Sequence, residues 1–172
     1  MFMNLLRKTW GIVIAVIISS CHSGTFDTIS PDGTLKVGVV TTKDGDYGKA
    51  AFVVHYKGDS ILFRSELGLE TDARKFAGNL RLKSVSESKS VIDDYKMITG
   101  KRSHCVNEAS ERVYSLENDE GQILEVTFRV YNDGIAFKYG LKAISDEEHI
   151  INEYTAYALP KGSKRWIHPS PV

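Results

Sequence analysis

A chain of 172 residues falls within the size range of one domain, and with 42% apolar residues it can bury a hydrophobic core. The 22 basic and 22 acidic residues balance, and no basic stripe runs along the sequence, which argues against nucleic acid as a partner. Glycine is common and proline sparse, at 14 and 4 residues, a composition typical of strands and turns rather than disorder.

The first twenty residues have the features of an export signal. Arg7 and Lys8 form a short positive region, and an apolar stretch over 10–18 follows it. A transmembrane helix needs about 20 mostly apolar residues, whereas the apolar part of a signal peptide needs only about 7 to 15. The sequence therefore predicts a cleaved signal peptide over 1–20.

The end of this segment, Ile18-Ser19-Ser20-Cys21, resembles the lipobox of bacterial lipoproteins. In such proteins the cysteine thiol takes the lipid and becomes the mature N-terminus, so Cys21 is the predicted lipidation site and 21–29 a linker. We expect an exported lipoprotein on the periplasmic or outer-membrane surface, which contacts the membrane only through its acyl chains. The alternative is an ordinary secretory signal with an incidental cysteine. Cys105, the other cysteine, is predicted to be a small buried residue without a disulfide.

The first half of the mature chain predicts short strands. After the turn 30–33, Leu35, Val37 and Val39 alternate with smaller or polar residues, as in a half-buried strand. A hairpin is predicted from 51–56 through the turn 57–59 to 60–63. The middle is harder to interpret: 69–77 is predicted to be a loop or a single turn, and 84–90 lacks an apolar face.

The last third carries the clearest pattern, two runs of alternating apolar residues that meet at the turn Asn132-Asp133-Gly134. These turn residues tolerate the positive φ that tight hairpins use, and 112–117 is predicted to join the same sheet through the turn 118–121. The apolar face is expected to pack on a second sheet and comprises Leu124, Val126, Phe128, Val130, Ile135, Phe137, Tyr139 and Leu141. The predicted fold is all-β, an antiparallel β-sandwich.

No sequence pattern indicates a catalytic or metal site. The five histidines are scattered without the spacing of metal ligands. The carboxylate pairs Asp93-Asp94 and Glu147-Glu148 are interpreted as solvated acidic turns, because adjacent residues of a strand point to opposite faces. Trp166 is predicted to pack rather than to stack on a sugar ring.

The block 128–139 is the most specific motif of the sequence, and it is accompanied by 30–33, 67–69 and the segment Gly100-Lys101-Arg102-Ser103 with Asn107 after it. Together these segments resemble the N-terminal domain of glycoside hydrolase family 97, the calcium-dependent α-glucosidases and α-galactosidases of Gram-negative polysaccharide users. From this resemblance Arg102, Ser103, Asn132, Asp133 and Gly134 are assigned structural roles in the motif, with 30–172 as the domain.

The resemblance implies part of a β-super-sandwich, similar to galactose mutarotase-like folds, that packs on a catalytic (β/α)8 barrel. Catalytic and calcium-binding residues of the family would lie beyond Val172, so none is assigned here and no cofactor is expected within this chain. We expect a fragment that serves as the non-catalytic scaffold of an α-glycosidase in polysaccharide degradation, with the barrel as its partner and carbohydrate as a further candidate partner. The alternative is a stand-alone lipoprotein, either carbohydrate-binding or purely structural.

Overall fold

The computed structural model describes residues 28–42, 47–101, 103–142, 147–164 and 166, which form antiparallel strands without a helix. None of the described segments is a helix that could cross a membrane. The strands are β1 (Thr28–Ile29), β2 (Leu35–Thr41), β3 (Ala50–Tyr56), β4 (Asp59–Leu67), β5 (Leu69–Thr71), β6 (Lys75–Phe76), β7 (Leu80–Val85), β8 (Lys89–Lys96), β9 (His104–Asn118), β10 (Ile123–Tyr131), β11 (Ile135–Gly140) and β12 (Ile150–Glu153).

The first sheet has the order β1-β2-β3-β4 and contains the hairpin predicted from the first half of the sequence. Tyr56 pairs with Asp59, which leaves Lys57 and Gly58 as a two-residue loop. Both loop residues have positive φ, 50° and 95°, as a type I′ turn requires. The predicted hairpin is therefore confirmed, although β4 continues four residues beyond its predicted end.

The second sheet has the order β11-β10-β9-β7, and β8 pairs with the other end of β9. The predicted meander is confirmed, because β10 pairs with both β9 and β11 without a register shift. One detail of the β10–β11 turn differs from the prediction. The turn closes through a hydrogen bond from the Tyr131 N–H to the Gly134 carbonyl at 2.8 Å, yet none of its residues has a positive φ.

The two segments that were hard to interpret take part in sheets. The predicted loop over 69–77 contains β5 and β6, which join β12 in a small third sheet of order β12-β5-β6. β7 and β8 lie end to end along β9, and Ser86 bridges the gap between them. The Ser86 N–H donates to the Val113 carbonyl, and the Ser86 hydroxyl accepts from the Val113 N–H, both at 2.9 Å. The Ser86 hydroxyl thus takes the place of a backbone acceptor between the two strands.

The hydrophobic core lies between the first and second sheets, as expected for a sandwich. Phe128 is fully buried, and its ring centroid lies 5.5 Å from Phe52 of the first sheet, 5.8 Å from Tyr114 and 5.4 Å from Phe137. The four apolar residues predicted on β10 are completely buried, whereas those of β11 and Leu141 are only partly buried against the core. The predicted face therefore packs tightly along β10 and loosens toward the β11 edge.

We expect Phe128→Ala to lower the free energy of unfolding by about 3–5 kcal/mol, because it removes a ring from the centre of the core and leaves a cavity. Phe63→Ala is the matched control, since Phe63 is 49% exposed on β4, and it should change stability by less than about 0.5 kcal/mol. Urea denaturation of the three proteins gives both values. Equal losses in the two variants would contradict this position of the core.

Candidate functional site

The outer face of the second sheet, which points away from the core, carries a charged cluster. Phe128 points inward, so its neighbour Arg129 points outward. The Arg129 Nε donates to the Glu111 Oε2 at 2.6 Å, and its Nη1 donates to the Asp93 Oδ1 at 2.9 Å. Lys89 pairs with the other oxygen of Glu111 at 2.7 Å, and the Tyr131 hydroxyl donates to the Asp93 Oδ2 at 2.6 Å. These five side chains form what we call the outer-face cluster.

The pKa shifts in this cluster all favour the charge state that each group has at neutral pH. Lys89 and Arg129 hold the pKa of Glu111 below its usual value through their hydrogen bonds to its carboxylate. The hydrogen bonds that Arg129 makes, first of all to Glu111, raise its own pKa. The hydrogen bond to Asp93, and then burial, raise the pKa of Tyr131. At neutral pH these three groups therefore hold their protons or charges, so they position neighbours rather than transfer protons.

A cleft of about 490 Å³ adjoins the outer-face cluster and is lined by Asp93, Tyr95, Asn107, Tyr131 and Asp133. Strand register brings these residues together. Asp93 pairs with Asn107, and Tyr95 follows two positions after Asp93 on the same face of β8. Tyr131 pairs with Ala109, two positions after Asn107, so it lies on that face as well.

The polar groups at the rim of the cleft are available for a ligand. The side chains of Asn107 and Asp133 make no hydrogen bond to any part of the chain that the structure describes, and Tyr95 is 48% exposed. Asp93 differs, because both of its oxygens accept hydrogen bonds within the outer-face cluster. The cleft thus combines a fixed floor with free donors and acceptors.

Two segments of the family resemblance, the turn 30–33 and the block 128–139, contact each other. The Asp32 N–H of the turn 30–33 donates to the Asn132 Oδ1 of the turn between β10 and β11 at 3.0 Å. The Asp32 carboxylate accepts hydrogen bonds from the Ser30 hydroxyl at 2.7 Å and from the Thr34 N–H at 3.0 Å. These bonds, first of all the one from Ser30, lower the pKa of Asp32. Asn132 thus links the turn before the first sheet to the β10–β11 turn of the second sheet, and its role in the family motif stays a prediction.

The other predicted residues fall into separate places. Ser103 lies at the tip of the β8–β9 hairpin, where its carbonyl accepts from the Met97 N–H at 2.8 Å. Gly134 lies in the β10–β11 turn, whereas Asp133 faces the cleft. Cys21 and Arg102 lie outside the described residues. Within the described ranges, no three histidine, cysteine or carboxylate side chains group together as they would to hold a metal ion.

The interpretation of the carboxylate pairs as solvated acidic turns holds for Glu147, which is exposed in a turn, and needs correction for Asp93, Asp94 and Glu148. Asp93 and Asp94 lie within β8 rather than in a turn, and they bind different partners, since Asp94 contacts the His104 Nε2 at 2.6 Å. Glu148 is buried, with its side chain 3% exposed, and accepts from the Arg74 Nε at 2.8 Å and Nη2 at 2.6 Å. Arg74 lies 74 positions from Glu148 along the chain, so the local sequence contains no signal of this partner.

Two further predictions about single residues were wrong. Cys105 is half-buried on β9 rather than fully buried. Trp166 is 89% exposed and does not pack on the described part of the chain. Sequence reasoning also missed Tyr95 and Tyr131 as lining residues of the cleft. The spacing of two positions between Asp93 and Tyr95 was the available signal, but without a visible apolar face it did not identify β8.

The family model described as glycosyl-hydrolase 97 N-terminal matches residues 29–171, nearly the whole described chain. The chain belongs to this family. The resemblance found in the sequence is therefore confirmed, together with the all-β sandwich that it implied.

Relatives of this glycosyl-hydrolase 97 N-terminal domain are longer enzymes. A protein of Streptomyces bingchenggensis (strain BCW-1) named "Probable retaining alpha-galactosidase" is 23% identical over 173 residues, which are 95% of this chain and 27% of the relative. A β-arabinopyranosidase structure is 30% identical with a TM-score of 0.70, over 77% of this chain and 21% of that one. This chain thus spans about a quarter of their length.

A more distant structure shows the fold alone. It is a glycoside hydrolase family 97 enzyme from Pseudoalteromonas sp. strain K8, solved in complex with acarbose. The identity is 20% and the TM-score 0.67, over 78% of this chain and 20% of that one. The sandwich fold of the glycosyl-hydrolase 97 N-terminal family is therefore shared by proteins of about 20% sequence identity.

We expect Glu111→Gln to make the unfolding free energy of this family member depend less on pH in the acidic range. Folding lowers the pKa of Glu111, so its stabilisation is complete above its ordinary value of 4.5 and is lost as the pH falls below it. The parent protein should therefore lose unfolding free energy more steeply than the variant between about pH 5 and pH 3. Urea titrations at each pH measure the two slopes.

Glu125→Gln is the control for this prediction, because Glu125 is an exposed carboxylate on the same outer face of β10. It should keep the steep acid limb of the parent. Parallel curves for the parent and Glu111→Gln would contradict a stabilising role of the outer-face cluster.

Proposed function

We propose that this chain is the non-catalytic N-terminal sandwich domain of a calcium-dependent α-glycosidase, of α-glucosidase or α-galactosidase type, that acts in polysaccharide degradation. The observation that carries the proposal is the family match over 29–171, combined with named glycosidase activities in relatives of which this chain spans about a quarter. We assign catalysis to a (β/α)8 barrel corresponding to the remaining length of those relatives. Calcium would be held mainly by residues outside the described chain.

The surface near the end of the described chain has the features of a docking surface for a partner. The segment 154–158 runs along β4 and β5, where the Tyr154 and Ala156 N–H groups donate to the Gly68 and Glu66 carbonyls at 2.9 and 3.0 Å. Large apolar side chains remain exposed on this side, and exposed apolar patches mark interaction surfaces. They are Phe63, Tyr157 and Leu159, and the Phe63 N–H donates to the Ala158 carbonyl at 2.8 Å. We therefore assign this side to the contact with the barrel.

A domain exchange tests the scaffold role. We expect that replacing the matching quarter of the Streptomyces bingchenggensis relative with residues 29–172 of this chain preserves hydrolysis of p-nitrophenyl α-galactoside, because the sandwich supports the barrel. EDTA should abolish the activity, and added calcium should restore it. The controls are the relative without that quarter and this chain alone, neither of which should turn over the substrate. A folded chimaera without activity, or turnover by this chain alone, would contradict the proposal.

We further propose that the protein is exported and anchored through lipid on Cys21, with the motif 18–21 as its support. Cells expressing the parent should incorporate labelled palmitate into the protein and retain it in the membrane fraction. Cys21→Ser should lose the label and keep the uncleaved segment 1–20, because the lipid is attached to the thiol before the signal is cleaved. Cys105→Ser is the matched control and should keep the label. An unlabelled parent would support an ordinary secretory signal.

A further inference from the structure

We propose that the cleft between the β8–β9 hairpin and the end of β10 binds a neutral sugar unit of a glycan. This site would be separate from the catalytic site of the barrel, so the inference goes beyond the proposed function. The structure carries it through four features of the cleft, namely its aromatic side chains, its free polar groups, its fixed floor and its charge.

The aromatic side chains of the cleft suit a pyranose ring. Tyr95 is 48% exposed and Tyr131 is half-buried, and both line the same cavity on the outer face of the sheet. A tyrosine offers an apolar ring face on which the C–H face of a sugar packs. The Tyr131 hydroxyl is held by Asp93. The cavity volume of about 490 Å³ lies within the range of small-ligand sites, about 300–1,000 Å³.

The free polar groups match the hydroxyls of a sugar. The Asn107 amide both donates and accepts hydrogen bonds, and the Asp133 carboxylate accepts them. Neither side chain is hydrogen-bonded elsewhere in the described chain and both are exposed, so a ligand displaces only water from them. A sugar hydroxyl is both donor and acceptor, so it can bond to either group.

The floor of the cleft is fixed before any ligand arrives. Arg129 and Tyr131 occupy both oxygens of Asp93, and Arg129 is itself held by Glu111. Asp93 and Tyr131 therefore keep their positions without a ligand. A site that is already ordered avoids the entropy cost of immobilising its side chains on binding.

The charge of the cleft selects against acidic sugars. Arg129 compensates the charge of Asp93 at 2.9 Å, which leaves Asp133 as the one uncompensated charge among the lining residues. A uronate or a sulfated sugar would meet a carboxylate, whereas a neutral sugar donates a hydroxyl to it. A calcium ion is also a poor match, because it needs 6–8 oxygen ligands and more negative charge than this lining supplies.

The test titrates the mature chain with panose and with raffinose, a neutral α-glucoside and a neutral α-galactoside, while amide resonances are followed by NMR. We expect at least one of them to bind with a Kd of about 1 mM and to shift resonances of 93–95, 107 and 131–133. Tyr95→Ala and Asn107→Ala should each weaken binding about tenfold or more, because each removes a contact to the ring or its hydroxyls. Trigalacturonic acid should not bind.

Tyr56→Ala is the matched control, because Tyr56 is an exposed tyrosine on β3 outside the cleft, and it should leave the affinity unchanged. Thermal melts establish that the variants fold like the parent. The proposal is overturned if neither sugar binds at about 20 mM, well above the expected Kd. It is also overturned if Tyr95→Ala and Asn107→Ala bind like the parent, if trigalacturonic acid binds more tightly, or if calcium chloride alone shifts the same resonances. The readout is binding rather than hydrolysis, so its failure is distinguishable from failure of the scaffold role.

Discussion

The register of β10 is the constraint on which both faces of the second sheet depend. Its even-numbered residues, Phe128 among them, are buried against the first sheet, and its odd-numbered residues, Arg129 among them, form the outer face. A slip of one residue would bring Arg129 into the core and Phe128 into water, which would remove the central aromatic packing and the outer-face cluster together. Core packing therefore also fixes where the floor of the cleft lies.

The outer-face cluster extends this constraint to the β8–β9 hairpin. Glu111 lies on β9 between Lys89 of β8 and Arg129 of β10, and it pairs with both. Exposed ion pairs contribute little on their own, but the side chain of Glu111 is only 7% exposed and its bonds join three strands. β8 packs few apolar residues, so this network of ion pairs holds β8 in position beside β9, where other strands are held by core packing. The pairing of β8 with β9 then places Tyr95 and Asn107 at the cleft.

The sequence predicted the elements whose order follows from local apolar alternation and missed those that depend on distant polar partners. β10 and β11 were predicted because Leu124, Val126 and Phe128 alternate visibly, and the same alternation indicated a sandwich. Asp93 and Glu148 were misinterpreted as solvated, because their arginine partners lie 36 and 74 positions away along the chain. The cleft could not be predicted for the same reason, since it joins β8, β9 and the β10–β11 turn across a register that no apolar face reveals.

The same physical device recurs in the small third sheet. Removing one partner of a buried ion pair leaves an uncompensated charge, so such a pair holds its two segments together even where it adds little net stability. Arg74 joins Glu148 and also the Lys142 carbonyl at 3.0 Å, which ties the β5–β6 turn to the chain on both sides of 143–146. In both sheets, therefore, a buried carboxylate, Glu111 or Glu148, and its cationic partners order segments with few apolar residues. The difference lies in what remains free: the third-sheet pair is enclosed, whereas the outer-face cluster borders an open cleft whose unpaired amide and carboxylate can face a ligand.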